Sequence, residues 1–148
     1  MNGYVNQYLT NTVQSASPEQ LMLMLYDGAI RFVSLAIQAI ENGLIDKRAY
    51  YINKTSAIVS EFAATLDHSM NPKLAEDLDA LYSYMLKRMM DANVKNDTAP
   101  LIEVKQMLSD LRATWSQAID INKQEMREAA GVAPSAADTP YKPLAAAM

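Results

Sequence analysis

The 148-residue chain has no cysteine. That absence removes a disulfide framework, a cysteine-ligated zinc site and a thiol nucleophile together. The one histidine, His68, cannot by itself build a histidine-rich metal site. There is no Glu-x-x-His pair, so a di-iron bundle of the ferritin kind, which needs two, is excluded. Glycine-rich phosphate loops and serine elbows are also missing. No run reaches about 18 uninterrupted apolar residues, and no basic-then-apolar leader opens the sequence. The expectation is a soluble protein without an export signal and without membrane insertion. Lys and Arg total 13 against 17 Asp and Glu, a net charge of −4 that argues against a general nucleic-acid binder. With no cofactor, no metal site and no catalytic constellation in view, the chain does not read as an enzyme. What remains is binding.

Glycine and proline are few, four and six, and their positions carry the architecture. Pro18, Pro72 and Pro100 each stand at the start of a long helix-forming run, where a missing N–H costs nothing. Ser17 with Gln20 makes a capping-box pattern, and Asn71 is a second N-cap. Asp46 and Asp97 are candidate caps for the other two helices. Asn42-Gly43 supplies a left-handed stop. The reading is four helices near 18–42, 46–67, 72–95 and 99–129. Their links are short, so consecutive helices run antiparallel. Leu101, Val104, Leu108, Leu111, Trp115 and Ala118 form the fourth stripe, and Leu74, Leu78, Leu81, Met85, Met89 and Ala92 the third. The second, Ile52, Ile58, Val59, Phe62 and Leu66, is diluted by Thr55 and Ser56. No period-2 stretch proposes a strand. The fold class is all-α, an antiparallel up-down four-helix bundle over residues 17–130. Residues 1–16 form a polar leading segment, and the Ala/Pro-rich residues 131–148 read as a disordered tail.

The first bundle helix is too apolar for its position. Between Leu21 and Ile40, every residue except Asp27, Gly28, Arg31, Ser34 and Gln38 is apolar. At 100° per residue, Asp27, Arg31, Ser34 and Gln38 share an arc of about 60°. The rest exceeds the stripe of a little over about 100° that a bundle helix needs. The excess has three outlets: burial in a crowded bundle, a homodimer face, or a groove for a partner's amphipathic helix. Met22, Met24, Met85, Met89, Met90 and Met107 fall on helices, and unbranched thioethers re-pack readily against varied partners. Asp27 and Arg31, at i and i+4, read as an exposed ion pair. His68 falls in the turn ahead of Pro72 and reads as solvated.

Ser17-Pro18-Glu19-Gln20-Leu21, running into Met24-Leu25-Tyr26-Asp27-Gly28-Ala29-Ile30-Arg31-Phe32, resembles the flagellar secretion chaperone family FliS. Ala80-Leu81-Tyr82, Tyr84-Met85, Ala92-Asn93, Glu103-Val104 and Leu111-Arg112 with Trp115 keep the family's order and approximate spacing, so the resemblance spans roughly residues 4–122. It implies a cytoplasmic bundle that binds the disordered C-terminal region of flagellin, prevents premature polymerisation and presents the subunit for export. The flagellar export apparatus and a flagellar regulator are further partners in the family. The candidate groove residues are Leu21, Met24, Leu25, Tyr26, Phe32, Met85 and Met89. The family also implies that the leading segment caps the hydrophobic cleft, with Val5, Tyr8 and Val13 as occupants. The alternative is a structural or regulatory bundle that homodimerises through the apolar face of its first helix.

Overall fold

In the computed structural model the described residues are 3–131, and within them the side chains of Tyr4, Val5, Asn6, Tyr8 and Thr12 lie outside the description. Five helices follow one another: α1 Gly3–Ser15, α2 Pro18–Glu41, α3 Ile45–Ala64, α4 Pro72–Lys95 and α5 Ala99–Ala129. No strand occurs among the described residues. The leading segment, read from sequence only as polar, is thus a helix of its own. The tail expected to be disordered lies outside the described residues beyond Gly131.

The helix boundaries follow from local chemistry. At α2, Ser17 Oγ accepts from the Gln20 N–H at 3.2 Å while Gln20 Oε1 accepts from the Ser17 N–H at 3.1 Å, a complete capping box. Asn71 Oδ1 accepts from Leu74 N at 3.2 Å and starts α4. Two expected caps differ. The N-cap of α3 is Leu44, with no side-chain bond, and Asp46 falls inside the first turn, where its charge still complements the helix dipole. The N-cap of α5 is Thr98, whereas Asp97 Oδ1 takes the Ala99 N–H at 3.0 Å. α3 stops at Ala64 rather than 67 because the Thr65 hydroxyl turns back onto the carbonyls of Glu61 and Phe62. Gly43 adopts φ 69° after α2, and Asn96 adopts φ 51° after α4, a left-handed position asparagine tolerates.

α2 packs against α3 and α5, and α4 packs against the same two, so the helices run in cyclic order α2, α3, α4, α5 around one core. The short links make neighbours antiparallel. The core comprises Tyr26, Val33, Ile52, Val59, Phe62, Leu78, Tyr82, Met85, Met89, Leu101, Val104, Leu108 and Trp115, with small alanines where backbones approach. Thr55 is buried too, because its hydroxyl returns to the Tyr51 carbonyl at 2.8 Å and exposes no unpaired polar atom. By length and composition α2 could cross a membrane. Within this fold its Tyr26, Ala29, Val33, Ala36 and Ala39 are core residues instead.

Candidate apolar groove along α2 and α3

Beneath the candidate site is a polar knot inside the core. Tyr26 Oη and Tyr82 Oη are 2.7 Å apart, and the Trp115 indole N–H donates to Tyr26 Oη at 2.9 Å. Phe62 stacks on Tyr26 with ring centroids 4.3 Å apart. Burial pushes both phenols above the usual tyrosine range, with the Tyr26–Tyr82 contact adding to the effect on Tyr26. No buried side-chain polar atom lacks a partner among the described residues. This knot fixes the register of α2, α4 and α5 and locks α2's inner face.

The rotation so fixed decides which apolar residues of α2 stay outside. Met22, Leu23, Ile30, Ile37 and Ile40 pack against the core cluster. Leu21, Met24, Leu25, Gly28, Phe32 and Leu35 share a separate arc of about 100° on the helical wheel. It faces the outer edge of α3: a Cβ built on Gly28 would lie 3.7 Å from Ile58 Cδ1, and the Phe32 ring stacks on Tyr51 at 6.2 Å between centroids. Tyr50 meets Tyr51 edge-on at 5.2 Å. A cavity of about 200 Å³ continues the seam between the end of α2 and the start of α3, lined by Leu35, Ala39, Leu44, Lys47 and Tyr51 among others. Cations border it. The Arg31 guanidinium lies 4.8 Å from the Phe32 ring centroid, and Lys54 Nζ lies 5.4 Å from that of Tyr50. The arrangement is an aromatic, aliphatic strip with positive edges, suited to binding rather than to bond-making chemistry. Among the described residues no group of acidic or histidine side chains could hold a metal.

The sequence candidates divide. Leu25 is 40% exposed, and Leu21, Met24 and Phe32 are half-buried on the strip. Tyr26, Met85 and Met89 have no accessible surface and belong to the core, because the Trp115 contact turns Tyr26 inward and α4 presents both methionines to the bundle axis. The expected Asp27–Arg31 pair is replaced by a link across helices: Arg112 donates from Nε to Asp27 Oδ1 at 2.6 Å and from Nη2 to Oδ2 at 3.3 Å. His68 is exposed in the turn ahead of Pro72, as expected. Val13 is 47% exposed, while the Val5 and Tyr8 side chains lie outside the described ones. Sequence reasoning missed Leu35, Tyr50, Tyr51 and Leu44. The Tyr50-Tyr51 doublet in an otherwise polar stretch was the available signal.

The model of the family "flagellar protein FliS" matches residues 1–122. The chain belongs to the FliS family. Among the FliS relatives, the flagellar secretion chaperone of Bacillus subtilis (strain 168) is 38% identical over 126 residues, covering 85% of this chain and 93% of the relative. Those of Salmonella typhimurium and Campylobacter jejuni are 32% and 33% identical over 118 and 112 residues. They cover 79% and 76% of this chain and 87% and 88% of those proteins. The FliS match thus includes α1, the capping box, the α2 strip and the Trp115 knot, and stops within α5.

Proposed function

We propose that the chain is a cytoplasmic flagellar export chaperone whose client is the C-terminal region of flagellin, held along the α2–α3 strip so that it cannot polymerise before export. The flagellar export apparatus and a flagellar regulator are its further partners in this reading. The observation that carries it is the Leu21–Leu35 strip, which is apolar, reaches the surface beside α3 and stays outside the buried core cluster, in a member of a family whose curated relatives are named flagellar secretion chaperones. A disordered client that becomes helical on such a strip loses affinity to its own ordering, which suits cargo that must later be released.

The test is a titration of the chain with a flagellin C-terminal peptide, followed by light scattering after size exclusion. A one-to-one complex is the expected result. Leu25→Glu combined with Phe32→Glu should weaken binding at least tenfold, since each apolar anchor is worth roughly 1.5–3 kcal/mol when fully buried. Helical circular dichroism and melting should stay near those of the parent, because neither side chain belongs to the core cluster. Peptide binding unchanged by the double substitution would place the client elsewhere. The competing reading, a homodimer through the same face, predicts twice the monomer mass without peptide.

A further inference from the structure

The link between α2 and α3 places Asn42 directly before Gly43, and both are exposed. Such a pair can react with itself. Once the Gly43 N–H has lost its proton to solvent base, its nitrogen can attack Asn42 Cγ. An N–Cγ bond forms, the side-chain nitrogen leaves as ammonia, and a five-membered succinimide results. Water then opens the ring at one of its two carbonyls. Attack at Cγ yields aspartate, and attack at the main-chain carbon yields isoaspartate, whose backbone runs through Cβ and Cγ. One water is consumed for each ammonia released. Glycine hinders the attacking nitrogen least, because it carries no Cβ.

The other asparagines among the described residues are guarded. Asn71 precedes Pro72, which has no N–H to lose, and its Oδ1 already accepts from Leu74 N. Asn93 and Asn96 are held by Arg48, whose Nε and Nη1 donate to their Oδ1 atoms at 3.0 and 2.7 Å. Asn6, Asn11, Asn53 and Asn122 lie inside helices, where the next N–H points at the carbonyl four residues back. Asn42 differs. Its side-chain amide has no hydrogen-bond partner among the described residues, and no atom lies within 4 Å of where a Gly43 Cβ would stand. Solvent base and water therefore reach the turn.

What restrains the pair is the hydrogen bonding of the turn itself. Gly43 N–H donates to Ile40 O at 3.1 Å and Leu44 N–H donates to Ala39 O at 2.8 Å. With Gly43 left-handed at φ 69°, these are the two bonds of a Schellman motif. Asn42 has ψ 4°, so the Gly43 nitrogen eclipses the Asn42 nitrogen and stands away from the Cβ–Cγ arm. Ring closure needs that nitrogen to swing over Cβ, which breaks both bonds.

We infer that Asn42 is a spontaneous deamidation site latched by the Schellman turn: it reacts only in molecules whose α2–α3 link has opened locally. Links open at lower free energy than a bundle core does, so global unfolding is not required. The product alters one end of the α2–α3 strip. Asn42 lines the cavity of about 200 Å³ together with Leu35, Leu44 and Tyr51. Either product sets a negative charge at the C-terminus of α2, against the helix dipole. Isoaspartate also lengthens the backbone by one atom inside the turn, so the two Schellman bonds cannot re-form unchanged.

Trypsin provides the readout on the full chain, because the peptide 32–47 carries Asn42 and no other asparagine. Asn2, which also precedes a glycine, lies outside the described residues and falls in a different tryptic peptide. The folded chain is aged in oxygen-18 water, digested in ordinary water and mapped by mass spectrometry. The free peptide 32–47, aged alongside, gives the unrestrained rate. Heavy oxygen should enter peptide 32–47 of the chain before those carrying Asn53, Asn71, Asn93, Asn96 or Asn122, with isoaspartate among the products. The folded chain should react at least about tenfold more slowly than the free peptide, because the turn is closed most of the time. That slowing should match the protection of Leu44 N–H against hydrogen exchange within about threefold, since both need the same opening. Equal rates in chain and peptide would overturn the latch, and so would a slowing far beyond the Leu44 protection. Earlier labelling of any of those other five asparagines would overturn the site. No client is needed, so the outcome is independent of whether the strip binds flagellin.

Discussion

Trp115 and Tyr26, 89 residues apart in sequence, share a 2.9 Å hydrogen bond in the centre of the bundle, with the indole N–H as donor. The same Tyr26 hydroxyl lies 2.7 Å from that of Tyr82, so one phenol ties α5 and α4 to α2. Each helix of the trio can slide or rotate only by stranding a polar atom in apolar surroundings, which costs about 1–3 kcal/mol. The consequence reaches the surface. Holding Tyr26 inward turns Leu25 and Phe32 outward on the same helix.

Removing the centre of this knot should be costly. Trp115→Ala should destabilise by about 3–5 kcal/mol, through lost burial and a residual cavity. Tyr82→Phe removes a hydroxyl and almost no volume, and should cost about 1–2 kcal/mol. Urea unfolding of the two single variants and the double variant would show non-additivity, because both act through Tyr26. Additive losses would mean that the hydroxyl chain is not a unit.

Alkaline pH probes the same residues. The folded-state pKa values of Tyr26 and Tyr82 lie above the unfolded value near 10. The neutral phenols are therefore favoured by folding. Their contribution is fully present below about pH 10 and is lost as pH rises towards the folded values. Tyrosinate absorbance from these two should appear only together with loss of the helical signal. Tyr82→Phe should shrink that cooperative component. A component that rises while the bundle remains folded would contradict the geometry.

The Asp27–Arg112 link is a different case. It is bidentate, but its side chains are 55% and 38% exposed, so solvent screens most of its attraction. Asp27→Ala should change stability by about 0–1 kcal/mol, and the difference should fade in high salt. A loss of several kcal/mol would assign the pair a buried role that its exposure argues against.

Ser17→Ala should cost about 1 kcal/mol by undoing the capping box at the entrance to α2. Ser17→Gly should cost only a few tenths. Thermal melts in one buffer suffice to compare them.

Helix number within the bundle, most helix limits and the antiparallel order were legible because they depend on local chemistry. Proline at the first turn, the Ser17/Gln20 box, Asn71 and Gly43 act within four residues of themselves. The stripe Leu101–Ala118 is likewise a local period, and its burial follows from the hydrophobic effect alone. Sequence also showed that α2 carries more apolar surface than two neighbours can cover. It could not divide that surface. Whether Tyr26 or Phe32 turns inward depends on a hydroxyl meeting Trp115 from 89 positions away, and whether Met85 is core or groove depends on which helices flank α4. Asp27 illustrates the limit most simply: its i+4 neighbour Arg31 was the local partner, yet Arg112 reaches it from α5 with two bonds. Periodicity fixes which residues share a face, whereas tertiary contacts fix which way the face points, because only the packed bundle sets each helix's rotation about its own axis.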